Sequence, residues 1–178
     1  MTKKQKILVT GSSGFLGSYL SKFLKSNKKY QITTTDKAGS PDLLGDLTDK
    51  KFVNSLGSYD VIVNCAAVQY VTSRKPIFFR KKWFLRNNVQ SIENLVDKYK
   101  NKKTFFIHIG TSMQYKQNNS KFYDIGSAMG SQGYYSFSKI KAQEILDKNL
   151  KNLATVIPCI IGGKGREGLF RGFVKSIN

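Results

Sequence analysis

The stretch KILVTGSSGFLGSYLSKFLKS, Lys6 to Ser26, holds an apolar run from Ile7 to Val9, glycines at 11, 14 and 17, and apolar residues at helical spacing, Leu16, Leu20, Phe23 and Leu24. It predicts a strand, a tight glycine turn and a helix. A side chain at Gly11 or Gly14 would keep a diphosphate away from the backbone N–H groups at the helix N-terminus, where the dipole favours anions. The G-x-x-G-x-x-G spacing differs from the G-x-G-x-x-G fingerprint of dinucleotide sites, so the stretch reads first as a nucleotide cradle of unspecified kind.

Outward from this turn, strand-like and helix-like segments alternate. Gln31 to Thr35 is β-prone and ends in Asp36, about twenty residues beyond the glycines, where an acidic residue can accept hydrogen bonds from ribose hydroxyls. A carboxylate there disfavours a 2′-phosphate. Thr48 or Asp49 can cap a short helix through Phe52 to Leu56. Asp60 to Ala67 is a continuous apolar run with a small-residue exit, as expected of a strand buried on both faces. Asn88 to Tyr99 has Val89, Ile92, Leu95 and Val96 on one helical face, and Ser73 to Lys82 is a loop or helix start. Thr104 to Ile109 is a strand, Tyr134 to Leu146 a helix, and Leu153 to Ile161 a last strand interrupted by Pro158. Residues 169–178 read as the opening of a further helix. Such alternation implies parallel βαβ units and a Rossmann-type, doubly wound α/β sheet in three layers, order 3-2-1-4-5-6, with ligands at the carboxyl edge of the strands.

Composition narrows the classes of function. The 178 residues, 40% hydrophobic, suffice for one buried core. Cys65 and Cys159 lie in apolar runs and read as reduced core thiols, consistent with a cytoplasmic protein, and no run is long enough to span a membrane. The net charge of +19 is spread over nearly every segment rather than gathered on one helix, which argues for a solvated lysine-rich surface and against a specific nucleic-acid partner. No cluster of His, Cys, Asp or Glu has metal-ligand spacing, and His108, the only histidine, falls in a buried strand pattern and reads as a core residue.

Tyr135 and Lys139 are four apart and so share one helix face. A phenol beside an ammonium is expected to lose its proton more readily than usual, which suits proton exchange with a substrate hydroxyl near neutrality. Tyr134 is turned away from that face. Thr111, at the exit of the preceding strand, offers a hydroxyl that can orient the same substrate oxygen.

Thr10-Gly11-Ser-Ser-Gly14-Phe-Leu-Gly17, Asp36, Gly45-Asp46-Leu47, Asn64-Cys-Ala-Ala67, Asn87-Asn88-Val89, Thr111 four before Tyr115, and Tyr135-x-x-Ser138-Lys139 occur in one order. Together they resemble the extended short-chain dehydrogenase/reductase family, in its NAD-dependent epimerase/dehydratase branch. The resemblance implies NAD as cofactor, NADP less so, held by Gly11, Ser13, Gly14, Phe15, Leu16, Gly17, Asp36, Asn88 and Pro158. Asp46 and Leu47 would contact the adenine, and Ala66 and Ala67 would line the cofactor. Lys139 would also hold the nicotinamide ribose. Tyr135 would be the general acid/base and Thr111 its substrate-orienting partner. The substrate implied is a nucleotide-activated sugar, changed by epimerisation, reduction or dehydration, and pairing of two copies through the helices beside the tyrosine is implied by analogy.

The chain departs from the family pattern in three places. Ile157-Pro158 stands where relatives carry Arg-Pro, Ser112-Met113 replaces an Asp-Glu pair found in dehydratases, and the sequence given stops at Asn178, near where a substrate-closing domain begins in relatives. The expected organisation is a cofactor-binding domain over residues 1–165 and the start of a C-terminal segment over 166–178. A cofactor-binding module without turnover is the alternative expectation.

Overall fold

The computed structural model describes residues 3–69, 76–117 and 122–166. In chain order these form β1 (Gln5–Thr10), α1 (Phe15–Lys25), β2 (Tyr30–Asp36), β3 (Leu43–Leu44), α2 (Lys50–Ser55), β4 (Val61–Asn64) and α3 (Ile77–Phe84). A π-helical stretch, Leu85–Gln90, leads directly into α4 (Ser91–Tyr99), followed by β5 (Phe105–Ile109), a 3-10 turn (Ser112–Gln114), α5 (Tyr134–Asn149) and β6 (Leu153–Val156).

The strands make one parallel sheet in the order β3-β2-β1-β4-β5-β6. This is the doubly wound Rossmann-type arrangement, and β1 lies inside it because Ile7, Leu8, Val9 and Thr10 are all buried. Alternate residues face opposite layers. Leu8, Ile62 and Phe106 pack with Val53 and Leu56 of the α2 region, Ile92, Leu95 and Val96 of α4, and Ala142 and Leu146 of α5. Ile7, Val9 and Val63 pack on the other side with Leu20 and Leu24 of α1.

Several expectations change in detail. Phe23 lies off the buried face of α1 and is 73% exposed. β3, a two-residue strand paired with Thr35 and Asp36, fills the edge place that the expected strand order leaves for it, although no segment of the sequence is assigned to it. Helix begins at Ile77 rather than Asn88, with the π-helical stretch joining its two halves. The last strand ends at Val156, short of Pro158, which has no N–H to give to a ladder. Cys159 is therefore exposed instead of sharing the core, whereas Cys65 is partly buried. The short helix before β4 begins where expected, with the Asp49 side chain accepting the Lys51 amide at 2.8 Å. The expected helix over 169–178 and the boundary segment beyond residue 166 lie outside the described residues.

Candidate active site

β1 hands the chain to α1 through a turn that only glycine permits. Gly11 has φ +64°, and a Cβ there would lie 2.6 Å from the backbone N and Cα of Ala66 at the exit of β4. At Gly17 a Cβ would collide with the Gly11 carbonyl, so α1 packs directly onto the turn. Gly14 is the N-cap of α1, with no side-chain cap and no acidic residue in the first turn. The free N–H groups of that helix end therefore face the carboxyl edge of the sheet without a carboxylate of their own. The Asp36 carboxylate is fixed beside them, accepting the Ser13 amide at 2.9 Å and the Lys37 amide at 2.7 Å, while Ser13 Oγ donates to the Ala38 carbonyl at 2.6 Å. This arrangement fits a dinucleotide: bare main chain for the diphosphate and a carboxylate at the end of β2 for the ribose.

On the other side of β4, α5 carries Tyr135 and Lys139, which are 7% and 3% exposed. Lys139 Nζ donates to the Ile109 carbonyl at 2.6 Å and lies 3.0 Å from His108 Nε2, both in β5. Burial pushes its pKa down to about 7, with a small opposing effect from Cys65. Tyr135 packs against Phe84, with ring centroids 6.0 Å apart, and the Thr111 side chain lies beside its hydroxyl. Burial raises the phenol above its ordinary value of 10.0, against smaller lowering effects from Thr111 and the Arg166 charge. The expectation that Lys139 would make Tyr135 more acidic is thus corrected. Desolvation outweighs every favourable partner, and the Lys139 amine is turned towards β5.

The two halves are joined by Asn88. Its position in the π-helical stretch aims the side chain inward, where Oδ1 accepts the Val68 amide at 2.8 Å and Nδ2 donates to the Val68 carbonyl at 3.2 Å and to Ser138 Oγ at 2.9 Å. One amide thereby holds the exit of β4 against the middle of α5.

Residues 7–167 match the NAD dependent epimerase/dehydratase family. The chain belongs to that family. A low-salt glycan biosynthesis protein of Haloferax volcanii is 33% identical over 108 residues, covering 51% of this chain and 34% of that protein. Among solved structures, dTDP-4-dehydrorhamnose reductase of Bacillus anthracis in complex with NADP superposes with a TM-score of 0.83 at 19% identity, over 99% of this chain and 61% of that one. UDP-glucuronic acid 4-epimerase of Bacillus cereus, in complex with a UDP-sugar and NAD, gives 0.70 at 24% identity, over 85% and 55%. At these identities the structures establish the fold. The chain spans about a third of the length of the Haloferax protein and 61% of the reductase.

Within this epimerase/dehydratase chain, Gly11, Ser13, Gly14, Phe15, Leu16 and Gly17, with Asp36, Ala66, Ala67, Asn88, Thr111, Tyr135 and Lys139, line or support the carboxyl rim of β1, β2, β4 and β5. Pro158 follows β6, where its carbonyl accepts the Ser112 amide at 3.3 Å. Asp46 and Leu47 stand further out, beyond β3. The Asp46 carboxylate accepts the Thr48 amide at 2.9 Å, and the Leu47 side chain belongs to the main core with Ala66 packed against it.

Two residues at the site went unassigned in the sequence. His108 shares the strand face of Phe106, which α5 covers, so the alternation along β5 already carried that signal. Arg166 folds back over the start of α1, donating to Gln69 Oε1 at 3.2 Å with its guanidinium 5.3 Å from the Phe15 ring centre. Nothing local foretells that contact. Burial raises the Cys65 thiol to about 12, which suits a packing residue rather than a nucleophile. Among the described residues there is no group of three His, Cys, Asp or Glu placed for a metal, and no helix long and apolar enough to cross a membrane.

Proposed function

We propose that this chain forms the cofactor-binding and proton-transfer half of an NAD(H)-dependent epimerase, reductase or dehydratase acting on a nucleotide-activated sugar. The observation that carries the reading is the placement of Tyr135, beside the Thr111 side chain, and of the buried Lys139 amine at the same sheet edge as the uncapped α1 N-terminus.

The first turn of α1 holds the diphosphate, Asp36 the adenosine ribose, and Ala66 and Ala67 give the small-residue floor that lets the cofactor lie close. Lys139 binds the nicotinamide ribose. NAD supplies reversible hydride transfer at its nicotinamide ring. The protein's own part is the proton. Tyr135 donates to, or accepts from, the sugar oxygen, and Thr111 aligns that oxygen with the phenol. Lys139, able to carry a positive charge near neutrality, stabilises the phenolate as the proton leaves. Burial raises the phenol above its ordinary value in the free fold, so Tyr135 rests protonated, ready to give its proton to the sugar oxygen. Substrate relationships named for the solved relatives, UDP- and dTDP-linked sugars, support this substrate class.

Calorimetric titration with NAD and NADP, followed by assay with a panel of UDP- and dTDP-hexoses, tests the reading. The expectation is NAD binding and a Tyr135→Phe variant that binds NAD within about twofold of wild type while turnover falls by about two to four orders of magnitude. NAD binding with no change in any sugar, and no effect of Tyr135→Phe, would leave a cofactor-binding module. No binding of either dinucleotide would overturn both readings.

A further inference from the structure

His108 is the only histidine in the chain, and the proton-transfer scheme above does not use it. Its ring is 1% exposed and lies between two polar side chains. Nε2 is 3.0 Å from Lys139 Nζ, and Nδ1 is 3.1 Å from Asn64 Nδ2. Asn64 Oδ1 in turn accepts the Thr10 hydroxyl at 2.5 Å. Thr10, Asn64 and His108 are register partners across β1, β4 and β5, so the ladder runs at right angles to the strands and ends on α5. All four side chains are buried, which makes a mismatched donor or acceptor anywhere along the ladder expensive.

A neutral imidazole has one N–H and one lone pair, so its orientation must agree with the charge of Lys139. When Lys139 is an amine, the ladder reads in one direction. Thr10 donates to Asn64 Oδ1, Asn64 Nδ2 to His108 Nδ1, and His108 Nε2–H to the Lys139 lone pair, while Lys139 still donates to the Ile109 carbonyl. An ammonium has no lone pair and must donate to Nε2 instead. The ring proton then sits on Nδ1 and points at Asn64, whose amide must turn over to accept it with Oδ1 and give Nδ2 to Thr10 Oγ1, so the Thr10 O–H rotates away from Asn64 and is the one donor of the ladder that loses its partner. Turning over an amide in place exchanges oxygen for nitrogen with little change of shape. The imidazole carries one proton in both arrangements, and the net difference is one proton gained by Lys139.

We propose that His108 is a positioning residue for Lys139, switching tautomer together with a turn of the Asn64 amide so that the buried Nζ keeps a matched partner both as amine and as ammonium. The proposal rests on the reading of Lys139 as a member of the proton-handling pair. Burial and the Lys139 charge hold His108 well below 6.5, so the ring stays neutral, while the Lys139 value of about 7 populates both of its forms near neutrality. The titratable groups facing Lys139 are Cys65 from the exit of β4 and His108 from β5. Tyr135 lies one turn earlier on α5, with Arg166 facing it from the segment after β6.

Because the histidine is unique, untagged protein labelled with ¹⁵N-histidine gives one imidazole, and its ring-nitrogen signals report the tautomer in the wild-type fold. The expected result is a change from Nδ1–H to Nε2–H as pH is raised from about 5.5 to 9, with the midpoint of Lys139 itself. Lys139→Met should abolish the change. His108→Leu should lower the Lys139 midpoint by about one unit, a tenfold shift, because the charge-assisted bond that the ammonium gives to Nε2 is stronger than the neutral bond that the amine accepts from it, and His108→Gln should restore part of it. A tautomer that does not respond to pH, or responds equally in Lys139→Met, overturns the proposal. NAD calorimetry on the same sample is separate. A tautomer switch without NAD binding sinks the cofactor reading and leaves the ladder standing.

Discussion

Ser13 donates its backbone amide to the Asp36 carboxylate across 2.9 Å, tying the end of the second strand to the first crossover. The carboxylate is thereby held where an adenosine ribose is expected and where a 2′-phosphate would meet like charge. Asp36→Ala should raise NADP affinity relative to NAD by about tenfold, equivalent to about 1.4 kcal/mol, in paired calorimetric titrations. An unchanged ratio of affinities would remove Asp36 from the ribose site.

Gly11 is the residue least able to change. Alanine would place a side chain at φ +64° and 2.6 Å from the Ala66 backbone, which cannot swing aside as a side chain might. Strain and overpacking together should lower stability by about 2–4 kcal/mol, read as an earlier midpoint in urea unfolding. A variant as stable as wild type would show that the turn does not press on β4 in solution.

Asn88 supports the site from behind. Asn88→Ala removes the partners of the Val68 amide, the Val68 carbonyl and Ser138 Oγ at once. The expected loss is about 2–4 kcal/mol in chemical denaturation, and near neutral pH Asn88→Asp should be no milder, because a buried carboxylate oxygen would face the Val68 carbonyl where Nδ2 now donates. A fully stable Asn88→Asp would mean that the Nδ2 contacts contribute little.

Lys139 makes stability depend on pH. The unfolded chain keeps the ordinary value of 10.5, whereas burial lowers it to about 7 in the fold. Between these values the unfolded chain holds the extra proton, so stability rises with pH, by up to about 1.4 kcal/mol per unit. Below about 7 both states are protonated and the burial penalty is present in full. Urea unfolding at about pH 7.0 and 7.8, below the ordinary titration of Cys near about 8.5 and Tyr near about 10, should show this gain in wild type and its loss in Lys139→Met. Equal slopes in the two proteins would mean that Lys139 stays charged inside the fold.

The parts of this fold legible in the sequence are those governed by local pattern. The glycine turn, the buried runs at Ile7 to Val9 and Asp60 to Ala67, and the Tyr135–Lys139 spacing each follow from residue type and period. β3 is only Leu43 and Leu44, too short to show a period. α3 reads IFFRKKWF, with Phe78 88% and Phe79 64% exposed and lysines interleaved, so no apolar face announces a helix. The electrostatics of the site were the least legible. The partners that decide Lys139 and Tyr135 come from β5, the 3-10 turn and the segment at Arg166, and burial, which outweighs them, is a property of the assembled layers.

The strand order also has a consequence for how the chain is made. Of the strands in this sheet β1 leaves the ribosome before the others, yet it sits in the interior of the sheet, and its second neighbour is β4, with Ile7 opposite Val61 and Thr10 opposite Asn64. Until that later segment emerges, one whole flank of β1 has its amides and carbonyls exposed along an apolar ribbon, the kind of surface that recruits chaperones or stray strands. Synthesis through β4 is therefore the point at which the nascent chain first closes its own seam.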